Sequence, residues 1–268
     1  MNLSTRSEEI LENTRVNQRN MLAYGQLTAK HVNEVDLVQE NGIQATMSPL
    51  KLPLMNDITA VHMNEELMEE TILRFTDIYL ARNIRPTWHI WDMDATDHVK
   101  DYLEALNYKK SGYQTAMSMD LENWMVVSTE PAEINIRKVD DETTCLHYAS
   151  VLAESLNIPD HEMAGFQEFV ARVACDESSP IHHYVAYEKC EPVCILSLFY
   201  SEESVGIYNI ESVQKRGKSR SHLIIHALKD AQKNNAKKAI LQTADKSVQI
   251  YERLGFHNDG NILEYRMA

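Results

Sequence analysis

Apolar residues fall at helical spacing in two stretches of the first half of the chain. Ile10, Leu11, Val16, Met21 and Leu22 partly follow a helical stripe and predict a helix over 6–27. Leu67, Ile72, Leu73, Phe75, Ile78 and Tyr79 predict the buried side of a second helix over 64–81. Strand-like pieces lie between them at 35–39, 43–47 and 58–63. Ser48-Pro49-Leu50-Lys51-Leu52-Pro53 reads as a loop, because each proline biases its predecessor away from helix. Thr87-Trp88-His89-Ile90-Trp91 is a strand by β-branched and aromatic content, with Trp88 and Trp91 on opposite faces. A helix over 94–106 and a strand over 113–119 complete this half.

The pattern then starts again. A polar, proline-containing stretch at 128–131 separates two sets of elements, which gives domains at 1–130 and 131–268. The second set reads as a strand over 134–139, helices over 140–156 and 161–175, and strands over 183–187, 193–200 and 205–213. A basic loop over 214–221, a helix over 221–234 and a strand over 239–243 follow, and the last element read ends at Phe256. An antiparallel meander leading into a βαβ unit is a mixed α/β order.

Composition narrows the class. The 268 residues carry 40 Asp and Glu against 26 Lys and Arg, a net charge of -14, so nucleic acid is a poor partner and a cationic small molecule or basic peptide a good one. No apolar run approaches the roughly 20 residues that span a bilayer, and the first residues lack an apolar signal core. Both predict a cytoplasmic protein with no membrane partner. Cys145, Cys175, Cys190 and Cys194 are too few and too irregularly spaced for a disulfide framework, and read as thiols around a strand. His222 and His226 stand four apart but lack an acidic third ligand nearby, so no metal site is expected. His182 and His183 read as a turn at the start of a strand.

The chemistry concentrates in the last sixty residues. Gln214-Lys215-Arg216-Gly217-Lys218-Ser219-Arg220-Ser221 places four cations within 214–220, in an otherwise acidic protein, between a strand and a helix N-terminus. Unpaired backbone N–H groups and the helix dipole make such a junction an anion site. Downstream stand Leu241-Gln242-Thr243-Ala244 and Ile250-Tyr251-Glu252-Arg253-Leu254-Gly255-Phe256. Their spacing and ending resemble the final strand and helix of the GNAT superfamily of N-acetyltransferases, and Ile207-Tyr208-Asn209-Ile210 fits the strand before its loop. The first half resembles the degenerate half of tandem GNAT proteins through Pro53 with Asn56, Arg85-Pro86-Thr87-Trp88, Leu103-Glu104-Ala105-Leu106-Asn107-Tyr108 and the segment 117–121. The resemblance implies two tandem GNAT-like α/β (α+β) domains, each a mixed, mostly antiparallel sheet flanked by helices.

It also implies a reaction: transfer of acetyl from acetyl-CoA (coenzyme A) to an amine by direct attack, the amine belonging to a small molecule or a peptide. Backbone of Ile210, Glu211, Ser212 and Val213 would line the pantetheine arm. Gln214, Lys215, Arg216, Gly217, Lys218, Ser219, Arg220 and Ser221 would hold the pyrophosphate. Tyr251 matches the tyrosine that often protonates the leaving thiolate in this family, and Glu211 or Tyr208 would take the proton from the amine, directly or through water. The acidic link Asn157-Ile158-Pro159-Asp160-His161-Glu162 suits a cationic substrate at the substrate lip. The oligomeric state stays open, with a homodimer as the family's frequent outcome. No basic glycine loop occurs in the first half, so one cofactor is expected.

The loop departs from the family's Q/R-x-x-G-x-G/A pattern. One register, Gln214-x-x-Gly217-x-Ser219, keeps one glycine; the other, Arg216-x-x-Ser219-x-Ser221, keeps none. Serine carries a Cβ where glycine allows close approach to phosphate, though its hydroxyl could donate to one. That departure keeps a second class of function in view, a catalytically weak or inactive tandem GNAT-like binding or regulatory protein.

Overall fold

The computed structural model describes residues 3–30, 35–48, 56–125, 134–174, 179–213 and 217–268. The stretch 49–53, the boundary at 128–131 and Gln214, Lys215 and Arg216 lie outside the described residues. In chain order the elements are α1 (Leu3–Lys30), β1 (Asp36–Glu40), β2 (Ile43–Met47), β3 (Asp57–Ala60), α2 (Met68–Ala81), β4 (Thr87–Trp91), α3 (Asp97–Ala105), β5 (Tyr108–Asp120), β6 (Asn135–Lys138), α4 (Glu142–Ser155) and α5 (Asp160–Ala174). They continue as β7 (Ile181–Glu188), β8 (Glu191–Tyr200), β9 (Val205–Ser212), α6 (Gly217–Lys233), β10 (Lys238–Ala244), α7 (Val248–Glu252) and β11 (His257–Met267).

The chain forms two compact units, 1–117 with 242–268, and 118–241. The segment from Gln242 onward therefore clusters with the first unit, whereas a single division near 128–131 groups it with the second half. The first unit's sheet runs β1-β2-β3-β4-β11-β5. Strands β1–β2, β2–β3 and β4–β11 pair antiparallel, and β3–β4 pair parallel. β11 is absent from the sequence reading, yet it pairs five residues with β4, from Ile262 opposite Trp91 to Arg266 opposite Thr87.

Strand alternation separates the two tryptophans as predicted. Trp88 is buried among Phe75, Tyr79, Ile58 and Tyr108, its ring at 88° to that of Tyr108. Trp91 packs instead with Ala116 and Ile262. Helix α2 buries Met68, Thr71, Ile72, Phe75, Thr76 and Tyr79, while Leu67 and Leu73 of the predicted stripe are exposed. Helix α1 departs further from its apolar pattern. Ile10 and Leu11 are each 39% exposed, and its buried positions include Thr14, Asn17, Gln18 and Asn20. These polar groups are bonded: Thr14 Oγ1 donates to Asp259 O (2.6 Å), Asn17 Nδ2 to Met117 O (3.2 Å), and Gln242 Nε2 to Asn17 Oδ1 (2.6 Å).

The second unit carries the strand order β10-β9-β8-β7-β6. β6 through β9 form the predicted antiparallel meander, and β9–β10 is parallel. Helix α4 starts at a capping box in which Asp141 accepts from the Thr144 amide and Thr144 Oγ1 accepts from the Asp141 amide. Cys145 on α4 is disulfide-bonded, which corrects the reading of four thiols; Cys190 and Cys194 are not in disulfides.

Successive residues of β7 face opposite sides of the sheet. His183 meets Tyr148 of α4, and Tyr184 donates to Asp230 of α6. The two helices therefore cover the two faces. His182 and His183 lie within β7 rather than in a turn, and His183 is buried.

Candidate active site

The site is built where β9 leaves its neighbours. On one side β9 pairs with β8 with an interruption: Glu211 opposes Ile195 and Tyr208 opposes Ser197, so Asn209 and Ile210 together face Leu196. One strand carrying an extra residue is a β-bulge, which breaks the ladder and increases twist. Asn209 takes φ of 50°, the left-handed region that asparagine tolerates better than most residues. On the other side β9 and β10 pair only at their starts, Val205 with Ala239 and Gly206 with Ile240. Among the described residues no further β9–β10 pair follows. Burial falls along the strand: Val205, Gly206 and Ile207 are buried, and Tyr208 through Ser212 are half-buried. The splay is the end of this short parallel ladder, with the bulge on its β9 side.

The residues assigned to this site from sequence divide among several places. Ile210, Glu211, Ser212 and Val213 line the end of β9 beside the splay, and Val213 N donates to Val193 O (3.0 Å). Arg220 reaches back to that strand: its Nη2 donates to Ile210 O (2.7 Å) and stands 3.8 Å from Glu211 Oε2. Arg220 therefore engages a backbone carbonyl that the sequence reading gives to pantetheine.

Helix α6 begins at Gly217, four residues earlier than read, so Gly217, Lys218, Ser219, Arg220 and Ser221 form its first turns rather than a loop. The amides of the first turn of a helix are the ones that carry the positive end of its dipole. Ser219 is buried, and its hydroxyl donates to the Glu188 carboxylate at the end of β7. That hydroxyl, assigned to phosphate from sequence, is bonded here to a carboxylate.

Tyr251 belongs to the first unit. It lies on the short helix α7, buried against Phe256 with ring centroids 5.9 Å apart, and its carbonyl accepts from the Leu254 and Phe256 amides. Among the described residues no cluster of three metal-ligating side chains occurs. His222 is half-buried, and His226 is exposed with its ring against Tyr184.

Sequence reading missed a buried polar chain behind the bulge. Asn209 Nδ2 donates to Tyr148 OH (3.1 Å), Tyr148 OH lies 2.6 Å from Ser197 Oγ, and Ser197 Oγ lies 2.8 Å from His183 Nδ1. Burial pushes the Tyr148 hydroxyl up to about 12, against its bonds to Ser197 and Asn209. Burial pushes His183 down to about 3, helped by the charges of His182 and Lys138. Both groups are neutral across the working range of pH. The sequence offers one signal, a lone hydroxyl at Ser197 within the apolar run Val193, Cys194, Ile195, Leu196 and Leu198.

No protein-family model matches this chain, and no curated protein matches it in sequence. Solved structures do. The chain is similar to a GCN5-related N-acetyltransferase from Kribbella flavida, with 11% identity and a TM-score of 0.67 over 92% of this chain and 95% of that one. The fold is that of the GCN5-related N-acetyltransferases. A second such GNAT protein, from Sphaerobacter thermophilus, is similar over 86% of this chain and 81% of its own, at 11% identity and a TM-score of 0.63. A tandem GNAT protein from the clavulanic acid biosynthesis pathway is similar over 88% and 84%, at 10% identity and a TM-score of 0.59. At these identities the GNAT likeness is one of fold, and it extends over both units.

Proposed function

We propose that this protein is an acetyl-CoA-dependent N-acetyltransferase acting on a primary amine of a small cationic molecule. The observation that carries this reading is the splay: β9 and β10 pair at two residues and no further among the described residues, beside a bulge at Asn209 and Ile210. In the GNAT fold such an opening admits the cofactor. The half-buried backbone of Ile210 to Val213 suits a pantetheine arm, which needs main-chain partners and partial exclusion of water. The first-turn amides of Gly217 to Ser219 suit the pyrophosphate, because they carry the positive end of the α6 dipole.

Acetyl-CoA supplies the activated acetyl group as a thioester. Glu211, half-buried at the lip of the splay, takes the proton that the incoming ammonium must lose. By the GNAT resemblance, Tyr251 is the candidate to give its phenolic proton to the sulfur as the carbon–sulfur bond breaks and the new carbon–nitrogen bond forms. The net charge of -14 favours a cationic amine.

Titration calorimetry with acetyl-CoA tests the reading, with saturable binding expected. Absence of heat at millimolar cofactor overturns it. With binding established, Tyr251→Phe is expected to lower kcat at neutral pH on the order of 10²-fold while leaving cofactor affinity near wild type. An unchanged kcat removes Tyr251 from the acid role.

A second reading, a GNAT-fold protein used for binding or regulation, draws on the first turn of α6. There Ser219 holds the Glu188 carboxylate and Arg220 holds the Ile210 carbonyl. Both contacts put this chain's own groups close to where a cofactor would bind. The same titration separates the two readings.

A further inference from the structure

Tyr148, Ser197, His183 and Asn209 come from four elements, α4, β8, β7 and β9, and meet inside the second unit. Tyr148, Ser197 and His183 are buried and Asn209 is half-buried; polar groups buried this deeply cost stability unless bonded, and an apolar cluster of the same shape would fill the space with less risk. The chain therefore asks for a role beyond packing. Its position supplies one. Ser197 faces Tyr208 and His183 in the strand registers, one step from the interruption, and Asn209 is the bulge residue with φ of 50°.

The Asn209 amide donates to the Tyr148 oxygen, and the Tyr148 and Ser197 hydroxyls bond to each other. Ser197 is bonded in turn to Nδ1 of a neutral His183. Each bond fixes the next. Tyr148 is the only member carried on a helix, and it ties the bulge to α4, whose own start is set by its capping box.

We propose that Tyr148 is a positioning residue for the acetyl-transfer site: its hydroxyl, braced by Ser197, holds Asn209 in the left-handed conformation that makes the bulge and keeps the β9–β10 splay open. The link to acetyl transfer rests on the reading above, whereas the link to the bulge does not. Tyr148→Phe keeps the ring and removes the hydroxyl. A glycine at 209 takes positive φ without a side-chain tether, so in an Asn209→Gly background the hydroxyl has nothing left to hold.

The experiment compares the full chain as wild type, Tyr148→Phe, Asn209→Gly and the double variant. Two readouts are taken, amide hydrogen exchange of the segment 207–212 and acetyl-CoA affinity. Tyr148→Phe is expected to speed exchange in that segment and weaken affinity, each roughly tenfold, the size of one lost buried hydrogen bond. Added to Asn209→Gly, it is expected to change neither, a non-additivity that a general loss of packing would not produce. Wild-type exchange over 207–212 in Tyr148→Phe overturns the proposal, and so does faster exchange spread evenly over 118–241. Faster local exchange with unchanged affinity overturns the role in the site. A wild-type chain that binds no acetyl-CoA removes the acetyltransferase reading, and the exchange arm then decides the bulge on its own.

Discussion

His183 turns burial into a dependence on acidity. Its folded value of about 3 lies below the ordinary 6.5, so the unfolded chain binds the proton more readily. The stability it contributes is complete above pH 6.5 and declines as pH falls toward 3. Between pH 7.5 and pH 5 the loss is about 2 kcal/mol from this one group. Urea denaturation across that range should show this slope in the wild type and a flatter one in His183→Gln. Equal slopes would remove His183 as the cause. None of this was readable from the chain, where His182-His183 resembles a turn. What buries His183 is α4 and β8 closing over it, and those contacts join positions far apart in sequence. Ser219 shows the same limit. Its place in a basic stretch suggests a phosphate donor, and the bond of its hydroxyl to Glu188 joins positions 31 apart, which no local pattern records.

Elements whose buried face is apolar were legible, and those held by polar contacts were not. Strands β2, β4, β7, β8 and β9 appear close to their predicted spans because β-branched and aromatic residues alternate there. Helix α1 was found by its apolar residues, of which Val16 is buried and Met21 packs against the Trp91 cluster, but the side chains it buries are mostly polar: Thr14, Asn17, Gln18 and Asn20. A hydrophobic stripe cannot report a helix that docks by hydrogen bonds. Asn17 links α1 to two segments, giving its amide hydrogen to Met117 O and accepting from Gln242. Asn17→Ala should therefore cost about 2 kcal/mol, read as a lower midpoint in urea denaturation. A change within about 0.5 kcal/mol would place the docking energy of α1 elsewhere. β11 escaped notice for a related reason. Its Asn258-Asp259-Gly260-Asn261 start lacks strand formers, and Gly260 has φ of 142° with the Asp92 carboxylate only 3.2 Å from where a Cβ would stand. The first turn of α6 at Gly217 was hidden because a glycine within a run of basic residues carries no helical signal.

Across the whole molecule the fold class, the meander and the βαβ unit followed from the order of the elements. The first compact unit takes residues from both sides of the second, with β11 seated between β4 and β5. A chain ended after Leu241 should lose hydrogen-exchange protection over 43–91, because β4 is left with an open edge and Trp91 without Ile262. Retained protection there would mean that β1 to β4 hold together without β11.

The same seat for β11 sets a timetable for synthesis. Ribosomes deliver about 5–20 residues per second, and domains ordinarily finish in the order in which they emerge. Here the earlier unit finishes last: β4 is out of the ribosome long before His257 follows, a delay of roughly ten seconds or more. For that interval the edge of β4, with both tryptophans, is exposed to chaperones and to neighbouring nascent chains.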